Sequence, residues 1–298
     1  MKRRLVQLLF ALLANAYPGP LGPGGLYRGP LKGICFPGLN CYSCPLAPFA
    51  CPLGSLQQSL ASLRALPLVA LKGFIYVLGF FFLCGLLLGR LVCGWLCPFG
   101  LLQELLYKIP FFKGSLLRVL FRTKYLVLLL LVILFPLLLV DTLGYGKVWF
   151  CRLLCPAGTL EAGIFNLALR PELRALVRGL FFLKLGLLGL ILFLCLVYFR
   201  FFCAVLCPLG AIYGLFNRLG FLKLLWQDDG CLRCGVCEKV CPMGLSIPQE
   251  LNSPECIRCL HCLSACPNRV IRLCFGEIDS FRVSAKSSRH AEGRTTPR

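Results

Sequence analysis

"RLVCGWLCPFGLLQELL", residues 90–106, sets two cysteines four positions apart, closes the pair with Pro98 and runs on as a Leu-rich, amphipathic stretch. It follows directly on an apolar run that ends at Gly89. A thiol pair at the joint between an apolar segment and a helix start suggests metal ligands held at a membrane. The composition agrees. The chain has 298 residues, 58% hydrophobic and only 15% charged, against about 25% charged in soluble domains. Its 21 cysteines cluster at short spacings, which points to ligation rather than to scattered packing.

Four apolar segments stand out, at about 5–16, 66–89, 125–140 and 179–199. The last three approach the roughly 20 residues that span a bilayer. The first is short and reads as a tilted or half-buried helix. Its basic start (Lys2, Arg3, Arg4) and its Ala14-Asn15-Ala16 end also fit a cleaved signal peptide. The N-terminus and the 90–124 loop hold nine Lys/Arg, whereas the much longer 17–65 and 141–178 loops together hold eight. The denser side is expected to be cytoplasmic. That places the chain after Phe199 inside the cell, in an inner membrane crossed several times. Lys72 and Lys184 fall near outer helix ends, where each is expected to snorkel. The net charge of +20 lies between apolar runs as topology signals do, so nucleic acid is not an expected partner.

The opening motif recurs. Cys-Pro-x-Gly followed by an amphipathic run begins at Cys51, Cys97, Cys155 and Cys207. Three copies carry a second cysteine four residues upstream: Cys93, Cys151 and Cys203. Proline suits the first turn of a helix, so each Cys of a Cys-Pro pair sits at a helix N-terminus. The free amides and the dipole there predict a low-pKa thiolate. Arg90 and Arg200 each stand three residues before a pair. They read as positive-inside anchors, or alternatively as hydrogen-bond donors toward the thiol site.

An iron–sulfur cluster takes four thiolates, so pairs must meet. Cys93, Cys97, Cys203 and Cys207 form the expected inner set. An outer set joins Cys151 and Cys155 to two cysteines of the first copy, with Cys44 and Cys51 favoured over Cys35 and Cys41. Alternatively, those four make a cluster of their own or enter disulfides. Cys84 and Cys195 read as packing residues inside spanning helices, and Cys274 as a buried thiol. The copies suggest two similar halves related by an axis along the membrane normal. Inner and outer sets are then separated by about 30 Å of hydrocarbon, unless their loops dip inward under cover of protein.

From Asp228 the composition changes. "CLRCGVCEKVCP" carries Cys231, Cys234, Cys237 and Cys241, and "CIRCLHCLSACP" carries Cys256, Cys259, Cys262 and Cys266. Both match the bacterial ferredoxin run C-x2-C-x2-C-x3-C-P, whose fourth cysteine serves the other cluster. One [4Fe–4S] cluster is expected on Cys231, Cys234, Cys237 and Cys266. The other is expected on Cys256, Cys259, Cys262 and Cys241. His261 reads as a surface residue, and the other histidine, His290, lies in the tail. No spanning segment holds histidine and no phosphate-binding glycine loop is present, which excludes bis-His haem in the membrane and leaves iron–sulfur centres as the electron carriers.

With these motifs the chain resembles the polyferredoxin-like membrane iron–sulfur proteins over about residues 66–270. That group includes the quinol-dehydrogenase membrane subunit of periplasmic nitrate reductase systems. The composition divides the chain into a membrane domain (1–225), a ferredoxin-like domain (226–276) and a tail rich in Ser, Arg and Thr that reads as disordered (277–298); the resemblance implies that the first is α-helical and polytopic and the second α+β and cytoplasmic. It implies [4Fe–4S] clusters, two in the ferredoxin domain and two in the membrane domain. The implied function is electron transfer between a cytoplasmic redox partner protein and the membrane, or across it, as a subunit of an oxidoreductase system. A quinone or an outer-face oxidoreductase is a further candidate partner. The alternative is a redox assembly or maturation factor for a respiratory metalloenzyme.

Overall fold

The computed structural model describes residues 2–19 and 26–276. The expected tail at 277–298, with His290, lies outside the described residues. Helix α1 is Lys2–Ala14, α2 Pro52–Ala61, α3 Pro67–Leu88 and α4 Pro98–Tyr107. The run Arg118–Leu138 forms α5. Then come α6 (Trp149–Leu153), α7 (156–169), α8 (Gly179–Val197), α9 (Phe201–Val205) and α10 (Pro208–Leu219).

Three of these, α3, α5 and α8, are long and apolar enough to cross a membrane. Their apolar residues go all the way round. Leu68, Ile75, Phe82, Leu129, Phe182 and Leu190 are all exposed, a surface that suits lipid rather than water. The first apolar segment does form a helix, but α1 has 13 residues and is about 20 Å long, too short to cross alone. It packs on α4 and on the 93–97 pair, with the buried Gln7 amide donating to the Gly94 carbonyl at 3.0 Å.

Proline decides where the short helices begin. α2, α4 and α10 open on proline, with Cys51, Cys97 and Cys207 as N-caps. Proline has no amide to extend an incoming helix, so the chain makes a wide turn just before it. Cys97, Cys155 and Cys207 each donate their N–H to the carbonyl five residues back, on Val92, Phe150 and Phe202, at 3.1, 3.0 and 2.9 Å. The spanning helices then exchange partners: α3 packs on α10, and α8 packs on α4. One apolar core, including Leu39, Val77, Phe99, Phe150, Ile191 and Leu209, runs between all the Cys-Pro turns.

The cysteine-rich end is closed by strands β1 (Leu222–Trp226) and β2 (Ile271–Phe275), paired antiparallel from Leu222↔Phe275 to Trp226↔Ile271. The unit therefore starts ahead of the expected boundary at residue 226. Short helices α11 (Val236–Lys239) and α12 (His261–Ala265) sit inside the two cysteine runs. His261 is exposed, and Cys274 on β2 is half-buried rather than buried.

Candidate functional site

All 21 cysteines are free thiols. The near quartet, beside the cysteine-rich end, consists of Cys93, Cys97, Cys203 and Cys207, each 3–4% exposed. Burial pushes the Cys97 thiol up to about 12, with Cys203 and Cys93 adding to the effect. Burial also holds Cys207 well above its ordinary value, reinforced by Cys203, Cys93 and Cys97. The helix amides of Gly100 and Gly210 pull the other way and lose. The expected low-pKa thiolate is thus corrected: desolvation outweighs the helix N-terminus. Burial thus favours the protonated form of Cys97 and Cys207, and metal binding by thiols releases protons.

Arg90 and Arg200 are fully buried, which corrects their reading as interfacial anchors. They cross over between the copies. Arg90 Nη2 donates to the Cys203 carbonyl at 3.1 Å, and Arg200 Nη1 donates to the Cys93 carbonyl at 2.5 Å. Each guanidinium lies over the motif glycine of the other copy. A Cβ at Gly100 would meet Arg200 Nη2 at 3.2 Å, and one at Gly210 would meet Arg90 Nη2 at 3.3 Å. In these two copies a side chain in place of the glycine would crowd the guanidinium and the upstream cysteine carbonyl; at Gly54 and Gly158 the same position has only ordinary contacts. Both charges are compensated: Arg200 pairs with Glu104 at 2.6 Å, and Arg90 with Glu255 at 3.1 Å. Arg3 and Lys124 are the second cations on those two carboxylates.

The far quartet departs from the sequence reading. Cys41, Cys51, Cys151 and Cys155 line one cavity of about 390 Å³. Cys44 is not among its walls. It donates to Asn15 Oδ1 at 3.6 Å, while the Cys35 amide faces the Tyr76 hydroxyl. Burial pushes the Cys41 and Cys51 thiols up to about 12 and about 11. Lys184, expected to snorkel, instead turns into this cavity, with Nζ 3.4 Å from the Cys151 carbonyl. Glu161 supplies a half-buried carboxylate that accepts the Cys41 N–H at 2.6 Å. Burial raises its pKa to about 7.

The far quartet does not stand a bilayer's thickness from the near one. The segment Phe36–Cys41 dips into the core. A Cβ at Gly38 would lie 2.9 Å from Cys97 Cα, and the Leu39 amide faces the Cys97 thiol. Leu39, Asn40 and Cys41 then line the far cavity. Two residues of chain, at most about 7 Å, separate the contact with one quartet from a cysteine of the other.

At the C-terminal end, Cys231, Cys234, Cys237 and Cys266 line a cavity of about 380 Å³. Cys241, Cys256, Cys259 and Cys262 line a smaller one. The second set docks on the near quartet. Asn217 Nδ2 donates to the Cys256 carbonyl at 2.7 Å, and Trp95 Nε1 donates to the Arg258 carbonyl at 3.0 Å. A Cβ on Gly94 would sit 2.3 Å from the Ile257 carbonyl oxygen. Gly94→Ala is therefore expected to lift residues 253–259 off the membrane domain. Their amide hydrogen exchange should rise while that of β1 stays unchanged; equal exchange in both proteins refutes the contact.

Sequence reading missed Gln57, Gln103 and Glu104, all buried beside the quartets, and the half-buried Glu161 beside the far one. A signal was present: Gln57, Gln103 and Glu161 each fall six residues after a motif cysteine. The donor sets suit an iron–sulfur cluster. Each is four soft thiols, three of the sets around a cavity. Among the described residues, no three candidate ligands converge closely enough to hold a single ion. A cubane takes one thiolate per iron and needs them spread around its corners.

The family model of the 4Fe-4S binding domain matches residues 69–124, 126–173 and 180–226, and that of the 4Fe-4S dicluster domain matches 223–267. An uncharacterized protein of Methanocaldococcus jannaschii is 35% identical over 61% of this chain and 70% of its own length. The methylamine utilization ferredoxin-type protein MauN of Methylobacillus flagellatus is 31% identical over 81% of this chain and 75% of its own. The ferredoxin-type protein NapH of Escherichia coli is 29% identical over 76% and 75%. No solved structure matches.

Proposed function

The chain belongs to the 4Fe-4S binding domain family, and on that premise we propose that it carries electrons along four [4Fe–4S] clusters between a cytoplasmic redox partner and the far face of the membrane. When bound, the clusters supply one-electron chemistry. The residues proposed to hold them are the two quartets of the membrane domain and the two sets of the ferredoxin-like domain. Cys234, exposed at the end of the series, is the proposed entry or exit for the cytoplasmic partner. A quinone or an outer-face oxidoreductase is the proposed partner at the far cavity.

The observation that carries this reading is the Phe36–Cys41 segment. It meets Cys97 at one end and lines the far cavity at the other. Electron tunnelling falls steeply with distance, and this backbone replaces most of the gap that a bilayer about 30 Å thick would impose. The charge asymmetry of the loops supports the orientation. The basic N-terminus packs beside the near quartet, Arg3 reaching Glu104 and Gly94, and Gly94 is also where the Ile257 carbonyl of the ferredoxin-like unit makes its close approach. A maturation role built on redox-active outer thiols is less well supported, because four of those thiols share one cavity.

The test uses iron-loaded protein in sealed vesicles enclosing ferricyanide, with a membrane-impermeant reductant outside and the ferredoxin-like side outward. Wild-type protein is expected to bleach the enclosed ferricyanide. Gly38→Val, which forces the bridging segment off Cys97, is expected to slow bleaching while retaining its iron. Wild-type vesicles that do not bleach overturn the transmembrane route.

A further inference from the structure

We infer that Gln57 and Gln103 set the reduction potentials of the two membrane centres, one glutamine to each, by hydrogen bonding to a ligand sulfur. This rests on the cluster reading above. Both glutamines stand six residues after a motif cysteine, on α2 and α4. That offset brings the side chain back over the first turn, since helix side chains lean toward the N-terminus. Both are fully buried.

Each reaches across to the upstream cysteine of another copy. Gln103 Nε2 lies 3.0 Å from Cys203 Sγ, and Gln57 Nε2 lies 3.2 Å from Cys151 Sγ. The orientation of each amide is fixed by its other end. Gln103 Oε1 accepts the Cys203 N–H at 3.3 Å, and Gln57 Oε1 accepts the Phe150 N–H at 3.1 Å. A backbone N–H only donates, so the oxygen must face it and the NH₂ group must face the sulfur. The other two copies do not repeat the arrangement. At the same offset, the Glu161 carboxylate accepts the Cys41 N–H, and the Tyr213 hydroxyl donates to the Pro37 carbonyl at 3.1 Å. Among the described residues, each quartet thus has a single side-chain amide on a thiol.

The chemistry follows from charge. A cluster held by a quartet would take one electron from the neighbouring centre without a proton, and with its four thiolates would become one unit more negative. An N–H donor on a ligand sulfur stabilises that reduced state more than the oxidised one, which raises the potential. Leucine would fill either site but would remove the donor to sulfur and leave the Cys203 or Phe150 N–H without its acceptor. Because glutamine is neutral, it tunes the centre without adding to the charge already balanced by Arg90, Arg200 and their carboxylates. Gln57 and Gln103 are therefore positioning residues, acting through the sulfur.

The experiment is a redox titration of the iron-loaded full chain followed by electron paramagnetic resonance. Signals are assigned to the near and far centres with Cys203→Ala and Cys151→Ala. In Gln103→Leu the near centre is expected to be about tenfold less reduced at a fixed poise, a shift of about 59 mV to lower potential for one electron. The far centre should not move. Gln57→Leu should do the converse. Gln103→Met and Gln57→Met keep the length of the side chain without its donor and should shift in the same direction. Unshifted potentials with full iron content overturn the proposal. So does a common shift of both centres, or loss of iron from both the Leu and the Met variants, which would make the glutamines purely structural. A wild-type protein lacking both membrane signals would instead overturn the cluster reading itself.

Discussion

Replacing Cys93, Cys97, Cys203 and Cys207 together by alanine is expected to remove about four of about sixteen irons, at four per cubane and four cysteines per cubane. The two ferredoxin-like centres should remain, because their thiols come from separate loops that fold around the β1–β2 pair. Transfer to the far side should stop, since the near quartet lies between the docked Cys256 run and the Phe36–Cys41 segment. Iron analysis and the vesicle assay check both parts. Wild-type protein with about eight irons, and a spectrum unchanged in the quadruple variant, would leave clusters only in the ferredoxin-like domain.

Glu104→Ala is expected to give the largest loss of stability from one substitution. Glu104 is 4% exposed and joins Arg200, which is fully buried, to Arg3. Removing the carboxylate leaves a buried guanidinium with no counter-charge, which costs about 3–5 kcal/mol. Glu255 plays the matching part for Arg90 and Lys124 but is 16% exposed. Water can partly replace it, so Glu255→Ala should cost less. Unfolding of the two variants in detergent, compared with wild type, checks the order. Equal stability of Glu104→Ala and wild type would mean that Arg200 finds other partners.

The sequence alone determined what local spacing encodes. Apolar runs of bilayer length mark α3, α5 and α8, and proline after cysteine marks the starts of α2, α4 and α10, because chain length and a missing amide act within a few residues. The ferredoxin spacing likewise assigned Cys266 to the first run and Cys241 to the second, and those cysteines line the corresponding cavities. Tertiary structure alone decided what depends on contacts between copies about a hundred residues apart in sequence. It set Cys41 rather than Cys44 beside Cys51, Cys151 and Cys155, because the first copy lacks the upstream cysteine that fixes the register elsewhere. It turned Arg90, Arg200 and Lys184 inward, because buried carbonyls and carboxylates offered better partners than the interface. It made the Cys-Pro thiols weaker acids than usual, because desolvation depends on everything packed around a sulfur and a helix N-terminus only on its own first turn.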